Sequence, residues 1–409
     1  MALVTGKRNG MTASDHLVLA AAAAGLTLTG CAGGPGSLQV GTAPSAPMTG
    51  AGNSGAMTPA PAVVNGAEGE NTQALSAAKS SGAESGGITL GETLEGLMQN
   101  TFGGHGADMD PAVSRDGGFM VFSSTQHRPS ADLYIKQVGS KAVTQLTLDP
   151  GNDVMPAISP DGKRIAFASD RSGFWNIYVM PTRGGQPVQI TNERTADLHP
   201  SWSPDGTRLV FCRLGQMSGR WELWTVNVGQ SNQQEFIGYG MLPEYCPVPG
   251  TGEDGADRIT FQRSRERGDR AFGVWIVDYK PGSVSNPTEI VAGSDFAAIN
   301  PTWSPDGKFV AYSRMSPEQA PMPANSGRPT RADIWMTAVA TGTSVNLTAG
   351  RHANLNPTWA GDGRLYFLSD RNGRENVWSI ATERALTAAS AQPGAPMKTP
   401  AVAGVKDNE

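Results

Sequence analysis

The residues best suited to chemistry in this chain are a set of histidines and a cluster of arginines. His105, His127, His199 and His352 lie in or beside polar stretches, and imidazole nitrogen is a good ligand for divalent transition ions. The run Arg263-Ser-Arg-Glu-Arg-Gly-Asp-Arg270 holds Arg263, Arg265, Arg267 and Arg270, and a Pro-rich stretch from Ser316 ends at Arg331. Guanidinium groups make bidentate, charge-assisted bonds to carboxylates, so these arginines suit an anionic partner surface. Metal-assisted catalysis and recognition of a partner are therefore the two chemistries open. A nucleophile is not among them: the chain has no Gly-x-Ser-x-Gly elbow, Gly-rich phosphate loop, His-Glu-x-x-His helix or Cys-x-x-Cys pair.

The elements that must position these residues repeat along the chain. Asp110-Pro111-Ala-Val-Ser-Arg-Asp-Gly117 recurs as Pro156-Ala-Ile-Ser-Pro-Asp-Gly162, Pro200-Ser-Trp-Ser-Pro-Asp-Gly206, Pro301-Thr-Trp-Ser-Pro-Asp-Gly307 and Pro357-Thr-Trp-Ala-Gly-Asp-Gly363. A degenerate sixth copy runs from Pro243-Glu-Tyr-Cys-Pro247 to Asp254-Gly255. The spacing is near 44 residues for the first copies, which is the length of one propeller blade. Each copy continues into alternating runs such as Arg164-Ile-Ala-Phe-Ala-Ser169 and Asn176-Ile-Tyr-Val-Met180, the pattern of half-buried strands. Asp161-Gly162, Asp205-Gly206, Asp306-Gly307 and Asp362-Gly363 are read as structural turns, and the Trp, Ile or Val two residues after each Pro as packing between blades. The expected fold is all-β: a six-bladed β-propeller over 88–383, with a disordered N-terminal tether and a disordered tail over 384–409. The segment Glu95 to Phe102 stands where other copies have their outermost strand, and it is expected to complete the last blade and close the ring.

Pro-x-Trp-Ser-Pro-Asp-Gly followed by Ile-x-Phe and Ser-Asp-Arg-x-Gly resembles the TolB-type WD40-like (PD40) repeat, over roughly Ile88 to Ala381. The resemblance implies an envelope-associated interaction platform without enzymatic activity, requiring no cofactor. TolB proteins carry an α/β domain ahead of the propeller, where this chain has a Gly/Ala/Ser/Pro-rich stretch. Oligogalacturonate lyases, a related propeller family, bind a divalent metal through channel-mouth histidines. A metal-dependent carbohydrate-active enzyme using His105, His127, His199 and His352 is thus the alternative reading.

Blade order places the crossover into each inner strand and the loop between second and third strands on one face, called here the crossover face. His199, Arg263, Arg265, Arg267, Arg270 and Arg331 are expected there as the partner-binding set, since loops that vary on a fixed scaffold are where recognition is built. The partner is expected to be an envelope protein or peptidoglycan-associated. A net charge of −5 leaves no basis for a nucleic-acid partner.

Lys7 and Arg8 precede an apolar run, Leu17 to Leu28, that is too short to span a bilayer and has the length of a signal-peptide core. It ends in Leu28-Thr29-Gly30-Cys31, which resembles a bacterial lipobox. Residues 1–30 are accordingly expected to be a lipoprotein signal and 31–87 a tether lipidated at Cys31, with the lipid as the sole membrane contact and the protein facing the periplasm or cell surface. Cys212 and Cys246 are expected to be buried thiols. Cys31→Ala should move the protein from the membrane to the soluble fraction. A wild-type protein that carries no acyl mass and fractionates as soluble would refute the lipid anchor.

Overall fold

The computed structural model describes residues 88–89, 94, 96–103, 106–264, 272–293, 295–315, 329, 331–348, 350 and 352–391. The signal and tether segments with Cys31 lie outside the described residues, as do His105, Arg265, Arg267, Arg270 and residues 392–409.

Two short strands come first, β1 (Ile88–Thr89) and β2 (Met98–Gln99). The first blade is β3–β6 (Asp108–Val113, Phe119–Ser124, Asp132–Gln137, Thr144–Gln145) and the second is β7–β10 (Asp153–Ile158, Arg164–Ser169, Asn176–Pro181, Val188–Gln189). The third is β11–β14 (Asp197–Trp202, Arg208–Leu214, Trp221–Asn227, Gln230–Tyr239) and the fourth β15–β18 (Met241–Tyr245, Asp257–Ser264, Phe272–Lys280, Ser283–Val291). The fifth is β19–β22 (Ala297–Trp303, Phe309–Met315, Asp333–Ala338, Ser344–Asn346), and the sixth contains β23–β25 (Asn354–Trp359, Arg364–Ser369, Asn376–Ala381). The sixth blade takes its outer strand from β2, with Met98 opposite Ser379 and Gln99 opposite Trp378, so the ring closes as the sequence implies. A feature the repeats do not announce is β1, which adds to the fifth blade as a parallel strand beside β22.

The hairpin between first and second strands is built by side chains. Ser203 Oγ donates to Asp205 at 2.5 Å and accepts from Arg208 N at 2.9 Å, while Asp205 accepts from Thr207 N at 3.0 Å. The same three bonds recur around Ser114/Asp116, Ser159/Asp161 and Ser304/Asp306. Gly206 takes φ +70°, a region costly for residues with a Cβ. In the sixth blade Ala360 replaces the Ser, and of the three repeated bonds the one from Arg364 N to Asp362 remains, at 2.9 Å, joined by a bond from Tyr366 Oη at 3.1 Å. Between blades, Trp202 donates to Ala157 O at 3.0 Å and Trp303 to Glu244 O at 3.2 Å, which realises the expected inter-blade packing.

A second device lies on the crossover face. Arg171, Arg213, Arg263, Arg314 and Arg371 each lay a guanidinium over the third-strand aromatic of their own blade: Tyr178 at 5.0 Å, Trp224 at 4.9 Å, Trp275 at 5.5 Å, Trp335 at 4.5 Å and Trp378 at 5.0 Å. Arg171 and Arg213 also hold fully buried aspartates at the start of the inner strand, Asp153 and Asp197, each at 2.7 Å.

Cys212 and Cys246 are buried free thiols, and burial pushes Cys212 up to about 12. The tail requires a correction. Residues 384–391 are helical, within helix α1 (Glu383–Ala391). Ala385 and Ala389, one turn apart, bury themselves beside Met336, Val345 and Leu347 of the fifth blade. Small residues make so faint a stripe that the segment passes for low complexity.

A chain lacking residues 1–87 should melt with the full-length protein. One lacking 1–106 loses β2 and exposes the edge of β25, and should melt roughly 5 °C lower or aggregate. Equal melting temperatures for the two truncations would show that β2 does not close the ring.

Candidate functional site

Every inner strand is interrupted at the same point. The residue before the leading proline has positive φ in all six blades: Asp110 (47°), Met155 (55°), His199 (53°), Leu242 (48°), Asn300 (54°) and Asn356 (49°). The strand register shifts at each of these positions, which marks six β-bulges. The following proline disfavours the right-handed helical region for its predecessor, and Asp, Asn and His tolerate the left-handed region better than other residues with a Cβ. Four of the six positions carry those types.

The bulges ring a recess of about 290 Å³ on the propeller axis. Its wall begins at these residues and runs through the hairpin residues Arg115, Pro160, Pro247, Pro305 and Gly361, so it reaches the hairpin face. No residue earlier in the inner strands lines it.

Asp110 accepts from Met155 N of the second blade at 3.3 Å and from Asn356 Nδ2 of the sixth at 3.2 Å, which bonds three blades together. Burial raises its carboxyl to about 6 against those two bonds. On the opposite wall, Glu244 of the fourth blade accepts from Thr302 Oγ1 at 3.1 Å and Trp303 N at 3.0 Å, and burial raises it to about 7. Burial lowers His199 to about 4, so its ring stays neutral at physiological pH. Asn300 Oδ1 and Trp359 Nε1 are buried in the same wall without a protein partner among the described residues. Above pH 7 the recess thus holds carboxylates on facing walls; Glu244 loses its charge as pH falls through about 7 and Asp110 as it falls through about 6.

The sites expected from the sequence scatter. His199 lies within β11 and lines the recess, where a crossover loop was expected. Arg263 belongs to the repeated stack on Trp275, and Arg331 is exposed and donates to Gly350 O at 3.0 Å. His127 is exposed and tilts against Tyr134 at 5.7 Å; His352 stands 3.7 Å from Asp370. Among the described residues no three His, Cys, Asp or Glu side chains are grouped to hold a metal ion. Asp110, Glu244, Asn300 and Asn356 were missed, although Asp or Asn before the repeat proline was a legible signal for three of them.

Six blades whose inner strands all line one recess define a closed propeller of repeated blades. Its repeats are TolB-like: residues 98–245 match the family model described as the TolB beta propeller domain. The chain is 35% identical over 213 residues to the Tol-Pal system protein TolB of Francisella tularensis subsp. tularensis, a match covering 49% of this chain and 44% of that protein. It therefore spans less than half the length of the curated relatives it matches. The structure of putative TolB from Agrobacterium tumefaciens superposes with a TM-score of 0.50 at 21% identity, over 67% of this chain and 90% of that one, which establishes the likeness of fold. An oligogalacturonate lyase from Vibrio parahaemolyticus gives a TM-score of 0.47 at 15% identity, over 71% of this chain and 94% of that one, and carries no argument about activity.

Ionised Glu244 is disfavoured in the fold, since its carboxyl titrates above the ordinary value of 4.5. The native state then binds the proton more tightly than the unfolded chain, so this group's contribution to stability falls as pH rises from about 4.5 to 7. Glu244→Gln keeps the acceptor oxygen and removes that penalty. The variant should gain on wild type across this window, by on the order of 1 kcal/mol at pH 8. Melting curves from pH 4.5 to 8 check this, and a difference independent of pH would show that Glu244 is not held protonated by burial.

Proposed function

We propose that this chain is a non-enzymatic, envelope-associated binding propeller that receives a basic segment of a partner protein in its axial recess. The observation that carries the reading is the pair of carboxylates, Asp110 and Glu244, on facing walls of a recess that reaches the hairpin face. A volume of about 290 Å³ suits a projecting side chain with its neighbours rather than a folded domain. A Lys or Arg entering it would meet carboxylates and the acceptor Asn300 Oδ1. The Tol-Pal designation of the Francisella relative supports an envelope protein as the partner. The Cys31 lipobox is consistent with that location, facing the periplasm or cell surface.

Photo-crosslinking separates this face from the other. A crosslinking residue at Arg115 or Pro160, on the hairpin rim, should capture an envelope protein from intact cells, and one at Ser172 on the crossover face should not. Asp110→Asn with Glu244→Gln should reduce capture at least tenfold at pH 7.5 while the propeller still melts cooperatively. Capture from Ser172 alone, or capture unaffected by the double variant, would place the partner elsewhere.

A further inference from the structure

The mouth of the axial recess on the hairpin face is ringed by one position of the repeat, the fourth residue after the leading proline. It is Arg115 in the first blade, Pro160, Pro204, Pro247 and Pro305 in the next four, and Gly361 in the sixth. Prolines and a glycine cannot reach across an opening. Arg115 is the one member of the ring with a long side chain, and its Nη2 donates to Pro247 O at 2.8 Å. The first and fourth blades stand opposite each other in a ring of six, so this bond crosses the axis. Both residues line the recess, and the guanidinium therefore lies over its mouth.

The two ends of this bridge are fixed by the fold. A Cβ at Gly361 would stand 1.8 Å from Arg115 O, so glycine is required for the hairpins of the sixth and first blades to approach this closely. On the far side, Pro247 follows Cys246, whose N bonds Arg258 O at 2.8 Å at the end of β15.

The bridge itself is weak by comparison. Arg115 is exposed, and a single exposed hydrogen bond to a neutral carbonyl is readily exchanged for one to water. Its bond goes to main chain rather than to the carboxylates deeper in the recess: Asp110 is held by Met155 N and Asn356, and Glu244 by Thr302 and Trp303. Asp110 and Glu244 belong to the same two opposite blades that Arg115 joins. A cation coming from the hairpin face to a place between them must pass where the guanidinium lies, and like charges repel.

We infer that Arg115 is the gate of the axial recess: it bars the mouth in the free protein, and a basic segment enters by displacing it from Pro247. The inference rests on the reading of the recess as the partner's site and adds to it a control on entry.

The test replaces Arg115, in the full chain, by proline, the residue that four other blades carry at this position, and separately by alanine. A carbodiimide with glycinamide should label Asp110 and Glu244 at least tenfold faster in both variants than in wild type, read by peptide mass spectrometry. Labelling is done at about 1 M salt, where screening within roughly 3 Å keeps the lost charge from altering the rate. Labelling of exposed Asp254 and the melting temperature should stay the same. Equal labelling of Asp110 and Glu244 in wild type and both variants would overturn the gate. Entry of the partner is read from a crosslinking residue at Pro160, which leaves Arg115 in place, and capture in intact cells should rise at least threefold when Arg115→Pro is added. Faster labelling with no rise in capture would also overturn the inference, since the arginine would then cover the recess without controlling entry. No capture from Pro160 in either background would refute the recess as the partner's site, while the labelling still decides whether Arg115 bars the mouth.

Discussion

Ring closure is the constraint on which the other features rest. Six sheets arranged around an axis leave an open edge unless the first and last segments of the chain share a blade, and here two residues, Met98 and Gln99, make that join against β25. Closure also sets the chemistry at the axis. Asp110 accepts from both the second and the sixth blade, a bond set that exists only when the first and last blades are neighbours. A ring sprung open would leave a buried carboxyl without Asn356, at the cost of an unsatisfied polar group.

Within the ring, the two faces are stabilised differently. The hairpin face depends on short Ser/Asp bonds confined to a few residues, repeated with little variation. The crossover face depends on arginines that cover an aromatic side chain of their own blade, two of which, Arg171 and Arg213, also neutralise a buried aspartate there. Buried ion pairs add little net stability, because desolvation offsets much of the attraction, but removing one partner leaves an uncompensated charge. Asp197 held by Arg213 illustrates the point: the pair fixes where the second strand ends relative to the inner strand more than it adds to the free energy of folding.

Much of this was legible in the sequence because the blade is defined by local signals. Period-two runs, Asp-Gly turns and a spacing near 44 residues each report on contacts within one repeat. Closure was legible too, since the last blade lacked an outer strand and one stood ahead of the first. The recess was harder to see. A left-handed residue breaks the alternation that assigns side chains to faces, so counting by twos cannot show where Asp110, His199 or Asn300 point. Arg263 shows the reverse: the sequence places it at the edge of an Arg-rich loop, and its stack on Trp275 in the next strand is a contact between strands that the loop composition does not announce. The helix at Glu383–Ala391 was hidden by its small side chains, which make a weak hydrophobic pattern while packing closely.

The strand β1 gives the ring a mechanical property. It lies parallel to β22 through Ile88 and Thr89, upstream of the segment that closes the ring. Tension on the preceding chain would reach this pairing before it reached Met98 and Gln99. The first element to yield would be a two-residue strip on the flank of the fifth blade, ahead of Leu94 and Leu97, which pack against the core between the strip and the closing strand. The propeller is thereby built to give way at its margin under load while its closing seam stays shut.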